Sequence, residues 1–326
     1  MKTNTQEFIN AMKQQTIGCE IEMAEITRED AIKVVADYFG TRNTVEYLGN
    51  GYYTWGCFDN KGRRWQVMRD VSIIASCSDK KAELVTPILT YDDIPDLQEI
   101  VRRLRRAGAI SNPQHGCGVH IHIGADGHTA QTLRNLANIM AAHEDLLSQA
   151  IYIDKGRIDS YCKPVDPQFL RALNDKKPKT MDALADVWYQ SQGQDGWDRH
   201  HHYNGSRYHM LNLHATFTKG TIEFRLFQFD NPHTSNGKHY KGGLHAGRIK
   251  SYIQLALAIN QAAKVARNAS PKKNETDNPK YAMRCWLLRL GFIGDEFETA
   301  RDLLTRKLPG DAAYRHGRPQ QAADAA

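Results

Sequence analysis

Ile17-Gly18-Cys19-Glu20-Ile21-Glu22-Met23 alternates apolar side chains with two glutamates. Successive side chains of a strand leave on opposite faces. The stretch therefore reads as a β-strand that buries Ile17, Cys19, Ile21 and Met23 and sets Glu20 and Glu22 together on the other face. Two later stretches repeat the pattern. Gly118-Val119-His120-Ile121-His122-Ile123 presents His120 and His122, and Thr221-Ile222-Glu223-Phe224-Arg225-Leu226 presents Glu223 and Arg225. A sheet face carrying carboxylates, imidazoles and a guanidinium is costly unless its charge is compensated, and divalent cations bound to phosphate are the natural compensation. Each stretch alone also reads as a solvent-facing edge or a cross-strand ion pair. Their recurrence in three separated segments favours a shared site.

Working outward, residues 28–39 read as a helix capped by Thr27. Residues 51–58, 64–74 and 81–86 read as strands, the last ended by Pro87. A helix over 93–107 is closed by Gly108, and 129–151 is a long helix with Leu133, Leu136, Ala137, Met140, Leu146 and Leu147 on its apolar positions. Residues 207–213 and 221–228 form the last strand pair, followed by helices at 241–266, 281–290 and 295–306. Between them, 154–206 turns polar, with Pro164, Pro167, Lys176-Lys177-Pro178 and the run Ser191 to Gly196. It reads as an insertion or lid holding one helix near 180–190. The tail from Pro309 to Ala326 reads as disordered. Strands outnumber crossover helices early in the chain, which predicts an α+β fold with a largely antiparallel sheet. The expected organisation is one catalytic domain over 1–308, with 267–308 as a C-terminal helical extension.

The 326 residues carry a net charge of +6, which suits anionic ligands such as nucleotides and tolerates nucleic acid without indicating it. No apolar run is long enough to span a bilayer, and Met1 to Thr16 lacks the apolar core of a signal peptide; the expected location is the cytoplasm. Six scattered cysteines (19, 57, 77, 117, 162 and 285) form no Cys-x-x-Cys pair, so they read as reduced, mostly buried thiols rather than a zinc ribbon or a disulfide framework. Arg102-Arg103-Leu104-Arg105-Arg106 reads as a solvated helix face. His200-His201-His202 lies in a polar loop, solvated or touching substrate. Gly242-Gly243 reads either as a backbone approach to phosphate or as a flexible helix start. Trp188, Trp197 and the histidine run are expected to shape an acceptor pocket.

Glu83, in Lys81-Ala82-Glu83-Leu84-Val85-Thr86-Pro87, adds a third acid to Glu20 and Glu22, and Glu223 adds a fourth. Oxygen ligands with an occasional imidazole suit Mg²⁺ or Mn²⁺ better than zinc. Arg225 shares a face with Glu223, and a planar fork there suits a transferring phosphoryl group.

Taken in order, Gly18-x-Glu20-x-Glu22, Asp70-Val71-Ser72, Glu83-x-x-Thr86-Pro87, Gly118-x-His120-x-His122, Arg207 through Asn212, and Thr221-Ile222-Glu223-Phe224-Arg225 resemble the amidoligase family. That family belongs to the carboxylate–amine ligases related to glutamine synthetase and glutamate–cysteine ligase, and the resemblance covers roughly residues 16–260. It implies a glutamine synthetase-like, curved antiparallel sheet with the active site on its concave face and helices on the convex one. It implies metal ligation by Glu20, Glu22, Glu83, His120 and Glu223, with His122 replacing or assisting His120. Contacts to ATP fall to Arg225, Arg207 and Asn212. Asp70 is implied as the group that binds and deprotonates the attacking amine, although Val71 stands where glutamine synthetase usually has glycine. The catalytic set is then Asp70, Glu223 and Arg225, the cofactors ATP and Mg²⁺ or Mn²⁺, and the substrates a small-molecule or peptide carboxylate and an amine. Two other classes use the same residues: a metal-dependent phosphohydrolase or nuclease, and a nucleotide- or nucleic-acid-binding module without turnover.

Overall fold

The structure, a computed structural model, describes residues 5–193, 199, 201, 203–235, 237–273 and 275–316. His200, His202, Trp197, the Gln194–Gly196 part of the polar run and the end of the expected tail lie outside the described residues. The alternating segments form strands as expected: β1 (Ile17–Ala24), β6 (Val119–Gly124) and β8 (Thr221–Phe227). With β2 (Glu46–Gly49), β3 (Thr54–Phe58), β4 (Arg64–Met68), β5 (Lys81–Val85) and β7 (Leu211–Asn212) they build an eight-stranded sheet in the order β2-β3-β4-β5-β1-β6-β8-β7. Every neighbouring pair is antiparallel. A small hairpin, β9 (His233–Ser235) and β10 (Lys238–Tyr240), stands apart.

The eleven helices of the described residues are α1 (Thr5–Lys13), α2 (Arg28–Phe39), α3 (Ile94–Arg106), α4 (Ala130–Ile151), α5 (Lys155–Ser160), α6 (Pro167–Lys176), α7 (Met181–Ser191), α8 (His214–Lys219), α9 (Ala246–Val265), α10 (Pro279–Arg289) and α11 (Glu298–Thr305). The result is a mixed fold of helices and an antiparallel sheet. One face of the sheet is apolar: Cys19, Ile21, Met23, Leu84, Val119, Ile121, Ile123, Ile222 and Phe224 are all buried. Helix α2 packs against β3, β4 and β5, and α9 against β6. Because α9 is itself flanked by α1, α3, α4 and α11, it is buried on almost every side, as a helix with apolar residues all round must be. The opposite sheet face carries the acids and histidines.

Several sequence expectations need correction. The 64–74 strand ends at Met68: Asp70 turns back through its own side chain, whose Oδ1 accepts from the Ser72 N–H (2.7 Å) and Oγ–H (2.6 Å), a local bond that competes with the sheet ladder. The 154–206 segment holds three helices, α5 to α7, not one, and Phe169, Leu173, Val187 and Trp188 join the main core. Trp188 is therefore a packing residue, its ring edge against Phe169 and its Nε1–H donated to Ser206, rather than a pocket wall. Gly242 and Gly243 lie in a tight turn rather than a flexible helix start. Both have positive φ, and a Cβ on Gly242 would stand 2.3 Å from the Asp230 carbonyl, so the pair makes a tight chain approach before α9. Val71 is absent from the residues with positive φ, so the glycine it replaces is not needed for backbone geometry here. The six cysteines are free, and Cys19, Cys57, Cys117 and Cys162 are buried. No helix among the described residues is long and apolar enough to cross a membrane.

Candidate active site

Antiparallel register places the charged residues opposite one another. Glu20 pairs with His120 and Glu22 with Glu83. His122 pairs with Glu223, and Glu223 with Asn212. Directly opposed residues share a face, so five strands deliver one array. Between Val119 and Ile121 the β6–β8 register slips: Ile121 faces Phe224 but Val119 faces Phe227. β8 thus carries an extra residue opposite His120, and such a bulge re-aims a side chain. Arg225 sits in it. All the expected site residues except His122 line one cavity of about 640 Å³: Glu20, Glu22, Asp70, Glu83, His120, Arg207, Asn212, Glu223 and Arg225. Loops and the 154–206 segment complete the wall with Tyr52, Arg69, Arg157, Tyr161, Tyr203 and Tyr208.

The array divides into two parts. At the β8 end, Arg225 Nη1 donates to Glu223 Oε1 at 2.5 Å, and Asn212 Nδ2 donates to Glu223 Oε2 at 2.6 Å. Burial works against the Glu223 carboxylate, yet Arg225 and His122 bring its pKa down to about 2. His120 Nδ1 lies 3.0 Å from Glu20 Oε2. Burial also opposes ionisation of Glu20, but His122 and His120 hold its carboxyl well below the ordinary range. Because a carboxylate only accepts, His120 Nδ1 carries the proton. At the β5 end, Glu22, Asp70 and Glu83 come together with no Lys or Arg of the described residues in an ion pair with any of them. Burial, then Glu20, Glu22 and Asp70, push Glu83 well above the ordinary carboxylate range.

The residues present fit divalent cations. Three sets each bring ligand atoms within 4.8 Å of one another: Glu20–Glu83–His120, Glu20–His122–Glu223 and Glu22–Asp70–Glu83. In the second, His122 Nδ1 is engaged by Thr221 Oγ1 at 2.9 Å, which leaves Nε2 for a ligand. That Nε2 is buried without a hydrogen-bond partner, 3.2 Å from Glu20 Oε1 and 3.9 Å from Glu223 Oε1. A buried orphan polar atom calls for a partner. Asn212 Oδ1 is a second orphan at the same end.

Sequence reasoning missed Arg157, Lys219 and the tyrosines. Lys219, at the end of α8, places Nζ 3.8 Å from Glu20 Oε1. The Tyr52 and Tyr203 hydroxyls touch across the cavity mouth. Arg207 lies over the rings of Tyr203 and Tyr208, and Arg225 over Tyr208. None of these sits in an alternating pattern; the one signal was their position in a polar stretch beside the strands.

The fold and its site define a class: an α+β protein whose antiparallel sheet buries an apolar face under helices and gathers acids, histidines and an arginine on the other. The chain matches the family described as "Putative amidoligase enzyme" over residues 13–260 and belongs to that family. No curated protein matches the chain. Among solved structures it is similar to the crystal structure of a bifunctional glutathione synthetase from Pasteurella multocida, at 13% identity and a TM-score of 0.42, with 94% of this chain and 49% of that one covered. The chain thus spans about half the length of that protein.

Proposed function

We propose that this protein is an ATP-dependent carboxylate–amine ligase that makes an amide bond through an acyl phosphate. The observation that carries this reading is the convergence of Glu20, Glu22, Glu83, His120 and Arg225, from four strands, on one cavity in a chain of the amidoligase family. Glu20, Glu22, Glu83, His120, His122 and Glu223 would hold Mg²⁺ or Mn²⁺, which when bound neutralises the phosphates of ATP. Arg225 is buried and fixed by Glu223, so its charge is preorganised beside the group being transferred. Arg207 and Asn212 hold the nucleotide with it.

A free carboxylate is a poor electrophile. Its oxygen takes the γ-phosphoryl group and ADP departs. The amine nitrogen then attacks the acyl carbon, the C–O bond to phosphate breaks, and phosphate leaves. Asp70 takes the proton from the ammonium; Ser72 donates twice to its Oδ1, and its carboxylate lies close to those of Glu22 and Glu83. The substrates are a small-molecule or peptide carboxylate and an amine, with residues 154–206 shaping the acceptor side. The curved form of the sheet, the single catalytic domain to residue 308 and a cytoplasmic location belong to the same proposal.

The test is an ATP-consumption screen over pooled amines and carboxylic acids with Mg²⁺. The expected result is ADP release that needs both partners, and a product lighter by one water than its parents. Glu20→Ala and Arg225→Ala should lose that turnover. Phosphate or oligonucleotide release without an amine would replace this reading with a phosphohydrolase or nuclease. Salt-sensitive nucleic-acid binding without turnover would replace it with a binding module.

A further inference from the structure

The geometry points to Arg157, on α5, as a positioning residue that sets the β8 bulge and thereby aims Arg225. Arg157 is 4% exposed. Buried guanidinium groups are ordinarily paired with acids, yet this one forms no ion pair with an acid of the described residues. Its donors go instead to the far end of β8: Nη1 to the Phe227 carbonyl (2.8 Å) and Nη2 to the Arg225 carbonyl (3.2 Å). Those two carbonyls bracket Leu226, next to Arg225 in the slipped part of the register. The planar fork of arginine can tie both at once, whereas the single ammonium of lysine cannot hold the same spacing.

Gly118 makes room for this strut. A Cβ on Gly118 would lie 2.1 Å from Arg157 Nη2 and 2.7 Å from Cζ, so the guanidinium rests directly against the glycine. The same glycine gives its N–H to Glu22 Oε2 at 2.5 Å. One bare α-carbon therefore touches both ends of the site: the acid cluster through its N–H and the Arg225 strand through Arg157. The polar segment that sequence treats as a lid delivers the part that fixes the geometry of the phosphoryl-contacting arginine.

This inference rests on the ligase reading for its kinetic arm and stands apart from it for its spectroscopic arm. Arg157→Lys is compared with Arg248→Lys, a control at a buried arginine outside the cavity that pairs with Asp230. With matched losses of thermal stability, Arg157→Lys should lower kcat for ADP release by about 10²-fold, the scale of an ångström misplacement, with a smaller rise in KM for ATP because Arg225 also holds the nucleotide in the ground state. Arg248→Lys should keep kcat. Gly118→Ala should copy the Arg157→Lys loss, and the double variant should fall no further, because coupled residues are not additive. In parallel, the Nε–H NMR signal of Arg225, assigned by its loss in Arg225→Lys, should broaden or shift in Arg157→Lys and stay in place in Arg248→Lys. Unchanged kcat, equal losses in both lysine variants, or an unmoved Arg225 signal would overturn the inference. If the wild type releases no ADP, the ligase reading falls, and the Arg225 signal still decides the role of Arg157.

Discussion

Glu223 and Arg225 illustrate how tightly chemistry and stability are joined at single positions. Arg225→Ala leaves Glu223 buried with no guanidinium, and breaking a buried pair in this way costs about 3–5 kcal/mol. Replacing both, as in Arg225→Met with Glu223→Gln, should recover most of that in urea denaturation while turnover stays lost. Recovery of turnover in the double variant would remove Arg225 from the chemistry. Glu144, on α4, offers a pH test outside the site. Its carboxylate accepts the Val165 N–H at 2.9 Å, and burial is the main reason its pKa moves up from 4.5 to about 7. The folded state therefore disfavours the ionised acid. The cost is absent below pH 4.5, grows as pH rises to about 7, and is full above it; a shift of that size corresponds to about 3 kcal/mol. Glu144→Gln keeps an acceptor for Val165, so it should be more stable than wild type at pH 8 and lose that advantage near pH 4. A flat difference across this range would refute the assignment. Glu20, Glu22, His120, His122, Glu223 and Arg225 were legible because a two-residue period marks them, whereas Asp70, in a turn after β4, came only with the family resemblance. Arg157 was not, because one arginine in a polar stretch has no period to stand out against.

Helix α2 shows what an element needs to be read from sequence. Thr27 accepts from the Asp30 N–H, Glu29 and Asp30 fill the first turn, and Gly40 closes the helix at φ 71°. Each signal has its own physical cause, and together they set the boundaries at 28 and 39. Thr27→Ala should cost about 1 kcal/mol in denaturant unfolding and leave the cavity unchanged; a larger loss would mean the cap also anchors the neighbouring 3₁₀ turns. Several of the elements that escaped are short or weakly patterned. Helix α5 has six residues and α8 six, too few for an apolar stripe to repeat. β2 has no buried residue, so nothing forces its side chains to alternate. The tight turn after Met68 was hidden by Val71, Ile73 and Ile74, which look like a continued strand although Val71 and Ile74 lie 71% and 62% exposed.

For the whole molecule, the largely antiparallel sheet class and the last strand pair, 207–213 with 221–228, were readable, because one apolar and one charged face mark each strand. The order of eight strands was not, since long-range pairing leaves no local trace. Crowding Glu22, Asp70 and Glu83 with no Lys or Arg of the described residues in an ion pair with them has a global consequence. Mg²⁺ or Mn²⁺ at about a hundredfold excess over Kd should add about 2.7 kcal/mol and raise Tm. Glu83→Gln should make the metal-free protein more stable and abolish the response. A wild type whose Tm ignores both ions would argue against the ligand sets. β1, meanwhile, is an inner strand whose two neighbours, β5 and β6, are both translated after it. On the ribosome its backbone waits for partners until residue 85 has emerged, and the last acid, Glu223, arrives some 200 positions after Glu20. At about 5–20 residues per second the roughly 60 positions from Ala24 to Val85 take about 3–12 s, during which a bare, half-apolar strand is open to chaperones and to its copies on neighbouring ribosomes.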